Sequence, residues 1–468
     1  MSHSHILVAT FPGQGHINPS LQLAKKLVKM GIEVTFMTSI FARKRMANAP
    51  TGDVPNGLTF VEFSDGYDDG LKPRDDGKRY MEEMKTQGLK ALRNIVLSSS
   101  ERGHPLTCLV YSHLFAWAAE VAREFHVPSA LLWIEPAAIL DIYYYYFNGY
   151  GGDIDAACEN YNIQLPKLPI LSRNDLPFFL LPSTPERFRL VVKEKLDVLD
   201  AETKPKVLVN SFDELEKDAL RAIEKYELLA VGPLIPCGFL DHGDYHDLSD
   251  KSYGGDIFKL SENDYMEWLN SKPGLSVIYV SFGSMFNLPK TQMEEIAKGL
   301  LGCGRPFLWV IRDGNKEEDQ KWSTTSHFGE LILEGMGKIV TWCSQLEVLS
   351  HPSLGCFLTH CGWNSVMESM VFGVPVVAFP QGFDQPTNAK LIEDVWKTGI
   401  RVRKNEDSGI VESGEIVKCV ENVMDDGEKS KDLRNNANKW KGLAREAMGE
   451  NGSSNKNLNY FLKELGHV

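Results

Sequence analysis

The stretch WCSQLEVLSHPSLGCFLTHCGWNSVMESMVFGVPVVAFPQGFDQ, Trp342 to Gln385, decides the fold. Leu354 to Thr359 is a short apolar run closing on a small polar residue, which suits a buried parallel strand. His360-Cys361-Gly362 then turns the chain, and Asn364 to Phe372 reads as a helix that stops at Gly373. A second apolar run, Val374 to Phe379, follows. Strand, turn, helix and strand in this order are the repeating unit of a parallel sheet covered on both faces.

The same stretch gathers polar groups around the turn. The free N–H groups and positive end of the Asn364 helix point where an anion would sit. Asn364, Ser365 and Glu368 share one face of its first turns, so a carboxylate stands beside that anion position and can accept two hydroxyls from a ribose diol. Trp342, closing the expected strand Lys338 to Trp342, offers a flat ring for a base, and Asp384-Gln385 follows the next strand. An ordinary strand-turn-helix unit with a core Trp accounts for any one of these residues. It does not account for the set.

As a set, the stretch resembles the nucleotide-sugar signature box of plant family-one UDP-glycosyltransferases from end to end. The resemblance implies the GT-B fold class, an α/β architecture of two doubly wound Rossmann-like parallel-sheet domains facing a cleft. It also implies a donor site of Ser284, Trp342, Cys343, Gln345, His360, Gly362, Trp363, Asn364, Ser365, Glu368, Asp384 and Gln385.

Length and composition agree with such an enzyme. A chain of 468 residues is long for one core, so two domains are expected. A net charge of −13 argues against nucleic acid or an anionic membrane surface as the main partner. The opening MSHSHILVATFPGQGH has no basic start and reads as a first strand rather than a signal peptide, and no apolar stretch approaches the length of a membrane span, so a cytoplasmic protein without membrane insertion is expected, and with it a monomer. Eight cysteines scattered through strands and helices suggest reduced thiols. Cys343, Cys356, His360 and Cys361 invite a zinc reading, but the paired C-x-x-C spacing is missing and no metal is expected.

Along the chain, strand and helix patterns alternate twice. Ile6 to Phe11, Glu33 to Thr38, Thr107 to Tyr111, Ser129 to Trp133, Lys206 to Asn210 and Leu228 to Val231 read as strands of the first half. Ser276 to Ser281, Phe307 to Ile311, Lys338 to Trp342, Leu354 to Thr359 and Val374 to Phe379 read as those of the second. Between them lies a stretch rich in Gly, Asp, His and Ser. The expected division is therefore an acceptor domain over 1–240, a linker over 241–262 and a UDP-sugar domain over 263–450. By the resemblance, a final helix over 451–468 returns to the first domain.

The second informative site is Phe11-Pro-Gly-Gln-Gly-His-Ile-Asn-Pro19. Gly13-Gln-Gly-His-Ile-Asn18 half-matches a dinucleotide G-x-G-x-x-G loop, but Asn18 replaces the third glycine and no acidic residue closes the second strand. A nicotinamide oxidoreductase is thereby disfavoured. His16 either caps the following helix or stands at the cleft mouth as a base, since imidazole suits proton abstraction near neutral pH. The resemblance implies the second role. It also implies a supporting Asp on the loop after a later strand, where this chain has Ser112, followed by His113. Serine can accept a hydrogen bond from His16 but cannot stabilise imidazolium by charge. Either another carboxylate serves, with Glu135 a candidate, or the acceptor is acidic, or the base is weak.

The resulting expectation is an inverting transfer of glucose from UDP-glucose to a small apolar metabolite, with UDP-glucose as co-substrate and no other cofactor. Asp384-Gln385 resembles the ending of glucose users, whereas Gln381-Gly382-Phe383 departs from the related Gln-Trp-Thr and suggests extra space. Trp117, Trp133 and Tyr143 to Tyr146 either line an aromatic acceptor pocket or pack the core. Segments such as Ala118 to Phe125 and Leu140 to Phe147 resemble the branch of anthocyanin 5-O-glucosyltransferases and glucose-ester-forming enzymes, leaving phenolic and carboxylate oxygens both open. Asp153-Ile-Asp155 matches a short metal-binding D-x-D pattern and is read as a solvated loop. A non-catalytic UDP-sugar sensor would keep the box and dispense with His16.

Overall fold

The computed structural model describes residues 4–47, 55–72, 75–157, 162–239, 253, 264–285, 287–312 and 336–466. The expected linker over 241–262 lies outside the described residues except for Tyr253.

Two parallel sheets carry the chain. The first holds β1 (His5–Ala9), β2 (Glu33–Ser39), β3 (Leu58–Phe63), β4 (Cys108–Ser112), β5 (Ser129–Trp133), β6 (Lys206–Val209) and β7 (Glu227–Ala230), in the order β3-β2-β1-β4-β5-β6-β7. The second holds β8 (Val277–Ser281), β9 (Phe307–Val310), β10 (Gly337–Val340), β11 (Leu354–Thr359), β12 (Val376–Ala378) and β13 (Gly399–Arg401), in the order β10-β9-β8-β11-β12-β13. Every residue of β1, β4, β8 and β11 is buried, as central strands covered on both faces require. Their register runs Val8 beside Val110 in one sheet and Val280 beside Leu358 in the other.

Two strands escaped the sequence reading. β3 is an edge strand whose inner residues are partly exposed, so its apolar pattern is diluted, and β13 is three residues long. The strand assigned to Lys338–Trp342 ends at Val340, which leaves Trp342 in the loop beyond it. The signature helix is Trp363–Phe372, and Gly373 caps it at φ +69°, a left-handed conformation that glycine adopts without a Cβ penalty.

The strand order of each sheet reverses once, between β1 and β4 and between β8 and β11. In open α/β sheets ligands bind beyond the carboxyl ends of strands at such switch points. His16 follows β1, His113 follows β4, the Ser281–Ser284 loop follows β8 and His360 follows β11. Topology therefore delivers these four chemistry-bearing segments to equivalent positions.

Direct bonds tie the two halves. Trp363 Nε1 donates to the Asn210 carbonyl (2.7 Å), Asn364 Nδ2 to that of Gly15 (2.9 Å) and the Phe178 N–H to that of Phe383 (2.8 Å). Arg401 Nη1 meets Asp175 Oδ1 at 2.7 Å. The helix Ser453–Glu464 buries Leu458, Phe461 and Leu462 in the core beneath the first sheet. Its Asn457 donates to the Ala230 carbonyl (2.9 Å) and to Asp213 (3.0 Å). Among the described residues no helix is long and apolar enough to cross a membrane.

Candidate active site

A cavity of about 320 Å3 takes its walls from both halves. His16, Ser284, Trp342, Cys343, Gln345 and His360 line it, as do Gly362, Trp363, Asn364, Ser365, Glu368, Asp384 and Gln385. Ser112 does not.

On the second-sheet side, Glu368 is held in a polar net. Its Oε2 accepts from Gln345 Nε2 (2.6 Å) and its Oε1 from the hydroxyl of Tyr253 (2.8 Å). The Gln345 amide also reaches Ser365 Oγ (3.0 Å), and its carbonyl accepts from Tyr279 (3.2 Å). Gln345 thus fixes the carboxylate and hydroxyl of the signature helix on one face, beside the partly exposed ring of Trp342. Asn364 leaves that face to reach Gly15 across the cleft. Burial pushes the Cys343 thiol up to about 12, so it packs as a neutral group near Tyr279.

His360 is wedged between two glycines. A Cβ at Gly283 or at Gly362 would stand 2.5 Å from His360 Nε2, and Gly283 has φ +70°. Burial lowers the imidazole to about 4, despite a hydrogen bond with the Ser281 backbone, so His360 is neutral at pH 7 and can donate to an anion. Arg312 holds the same loop, donating to the Ser284 carbonyl (2.5 Å) and to Asn287 (2.9 Å). Gly283→Ala is expected to displace His360 and weaken UDP binding about tenfold or more, the loss of one charge-assisted hydrogen bond. Calorimetric titration with UDP measures this, and unchanged affinity would remove His360 from the diphosphate site.

The Asp384-Gln385 pair is asymmetric. Asp384 is buried, accepts from Asn388 Nδ2 (2.6 Å), and burial raises its carboxyl to about 6. Gln385 Oε1 is occupied by the N–H groups of Gln381 (2.9 Å) and Gly382 (3.1 Å), which leaves its amide N–H2 as the part able to meet a ligand. Phe383 sits at φ +54° and lines the cavity with Phe179, their ring centres 6.0 Å apart. The space expected from Gly382 is thus bounded by a phenyl ring at the next residue. Trp363 is 4 % exposed, its N–H is bound to Asn210 and its ring packs on Trp396, so it contributes wall rather than a donor.

On the first-sheet side, His16 is the third residue of the helix Gln14–Lys29 and lies half-buried against Phe11. Ser112 does not support it: Ser112 Oγ accepts from the Phe11 N–H (3.2 Å), because β4 ends beside the Phe11 backbone and turns the short side chain toward it. His16 Nδ1 is buried with no hydrogen-bond partner among the described residues. The neighbouring ring is His113, with centres 4.7 Å apart, and His113 Nε2 lies 3.7 Å from Glu135 Oε1. Burial, aided by the Lys195 cation, lowers His16 to about 3 and His113 well below its ordinary value. Both rings are therefore neutral at pH 7.

Lys195 was not singled out from the sequence. It lines the cavity from the helix Glu186–Asp200, is 7 % exposed, and has no hydrogen bond or ion pair within 4 Å among the described residues. One of two lysines in an amphipathic helix carries no sequence signal. The expected aromatic pocket also differs from the observed one. Trp117, Trp133 and Tyr143 pack the core, and Tyr145 and Tyr146 bond to the Ala222 carbonyl and to Asp155. None of these lines the cavity, whose acceptor-side apolar wall is Phe11, Leu114, Ile134, Phe179 and Phe383. Asp155 also pairs with Arg189 at 3.4 Å, away from the donor box. Among the described residues no three His, Cys, Asp or Glu side chains converge as a metal-ligand set.

The family described as UDP-glucoronosyl and UDP-glucosyl transferase matches residues 254–435. Anthocyanidin 3-O-glucoside 5-O-glucosyltransferase 1 of Perilla frutescens is 63% identical, with 100% of each chain covered. Anthocyanidin 3-O-glucoside 5-O-glucosyltransferase of Verbena hybrida is 60% identical, with 99% of each covered. The crystal structure of Os79 from O. sativa in complex with UDP superposes with a TM-score of 0.84 at 32% identity, covering 98% of this chain and 100% of that one.

Proposed function

Because this chain belongs to the UDP-glycosyltransferase family and is an enzyme of that class, we propose that it transfers glucose from UDP-glucose to a phenolic hydroxyl of a flavonoid-like acceptor, inverting the anomeric carbon with His16 as general base. The observation that carries this reading is one cavity with His16 on one wall and the Gln345, Ser365 and Glu368 net on the other. The relative from Perilla frutescens, named for a 5-O-glucosyl transfer, supports the phenolic oxygen.

In this reading uracil stacks on Trp342 and Glu368 takes the ribose hydroxyls. As the bond to phosphate lengthens, charge develops on the β-phosphate, where His360, the Ser284 loop and the N–H groups opening the Trp363–Phe372 helix are aimed. These groups meet the diphosphate charge, so the proposed step uses no metal ion. Asp384 and the Gln385 amide hold the glucose hydroxyls, and the acceptor oxygen attacks from the opposite face as its proton passes to His16. One displacement inverts the configuration.

The test is product formation from UDP-glucose with flavonoids, phenols, and aromatic and isoprenoid carboxylic acids, followed by mild alkali. Alkali-stable glucosides are expected. Alkali-labile products would replace the phenol with a carboxylate acceptor, the second reading that the absence of a carboxylate at Ser112 favours. No glucoside of any kind would overturn the proposed donor or base.

A further inference from the structure

We infer that His113 and Glu135 take the place of the missing carboxylate as positioning residues: His113 Nδ1 receives the Nδ1–H of His16, and Glu135 holds His113 in the tautomer that leaves that nitrogen free. This rests on His16 being the base.

Four observations converge on the pair. His16 Nδ1 and His113 Nδ1 are both buried without a hydrogen-bond partner among the described residues. Orphaned buried ring nitrogens are costly and uncommon, and here two occur on adjacent rings. The ring centres are 4.7 Å apart with planes inclined by 47°, so the two imidazoles are direct neighbours. His113 Nε2 faces Glu135 Oε1 at 3.7 Å, a gap of the kind that closes when substrate docks. Ser112, the alternative support, is already committed to the Phe11 N–H.

The chemistry needs no second proton transfer. The acceptor O–H bond breaks and an N–H bond forms at His16 Nε2. The Nδ1–H already on His16 becomes a charge-assisted donor to His113 Nδ1, while His113 Nε2–H points to Glu135. Neutral His16 without such a partner would be a weak base, because its imidazolium would be buried beside the Lys195 cation.

The surrounding charges give the arrangement a pH signature. Facing His113 and Glu135 are His16, Lys195 from the helix Glu186–Asp200, Asp384 beyond β12, and Tyr143 from the helix Ala137–Tyr145. Burial, reinforced by Asp384 and opposed by Lys195, pushes the Glu135 carboxyl up to about 8. It is therefore largely protonated at neutral pH and gains its charge as pH rises. The carboxylate is the stronger acceptor, so kcat/KM should climb as pH passes about 8.

The experiment measures kcat, acceptor KM and pH profiles from 6 to 9.5 for wild type, His16→Ala, His113→Gln and Glu135→Gln, on a phenol the wild type glucosylates. UDP affinity of each variant reports folding. His113→Gln should lower kcat about ten- to hundred-fold, the loss of one charge-assisted hydrogen bond to the base, with acceptor KM little changed. Glu135→Gln keeps an acceptor atom and should flatten the alkaline rise. A raised KM with unchanged kcat in His113→Gln would make His113 an acceptor contact and overturn the inference. So would a wild-type profile in Glu135→Gln alongside an inactive His16→Ala. If His16→Ala itself turns over normally, the base assignment fails first.

Discussion

His16→Ala is expected to cut kcat by about a hundred- to ten-thousand-fold, the range a positioned general base contributes, while UDP affinity stays unchanged. The separation follows from the geometry. His16 belongs to the helix after β1, whereas Trp342, Gln345 and Glu368 belong to the second half of the chain. The ring contacts of His16 are with Phe11 and His113, both of the first half, so truncating it disturbs no side chain of the donor net. Steady-state kinetics on UDP-glucose and an accepted phenol, with UDP titration of the same sample, decide the matter. Turnover within tenfold of wild type would exclude His16 as the base. A protein that only sensed the nucleotide sugar would be indifferent to the change.

Glu368→Leu should act on the other half of the reaction, raising KM for UDP-glucose about ten- to hundred-fold with a smaller change in kcat. The carboxylate accepts from Gln345 at 2.6 Å and Tyr253 at 2.8 Å, and is 3 % exposed. Removing it deletes the proposed ribose acceptor and takes one buried partner each from the Gln345 amide and the Tyr253 hydroxyl. Glu368→Gln separates the two effects, because it preserves shape and loses the charge. If both variants bind UDP as wild type does, the ribose lies elsewhere in the cavity.

Much of the site was legible because its residues fall within one continuous stretch. A βα unit fixes where a turn and a helix N-terminus go, so His360, Ser365 and Glu368 could be placed together from spacing alone. What the side chains bond to was not legible. Nothing in the sequence announces that the Gln385 carbonyl is consumed by the N–H groups of Gln381 and Gly382, or that Trp363 spends its N–H on Asn210. The acceptor side was harder for a physical reason. Aromatic side chains in a sequence fit a pocket wall and a core equally, and Trp117, Trp133 and Tyr143 proved to be core.

The sequence by itself determined two parallel-sheet halves and the turn and helix after β11, because periodicity, helix stops and local spacing are properties of contiguous residues, and its resemblance to UDP-glycosyltransferases determined the class of the chain. Only the tertiary structure decided what surrounds His16. Ser112 turns to the Phe11 backbone, while His113 just after β4, Glu135 just after β5 and Lys195 from a helix far along the chain crowd one buried corner. Burial there shifts each group's proton affinity, and burial arises from packing between segments that no local pattern connects.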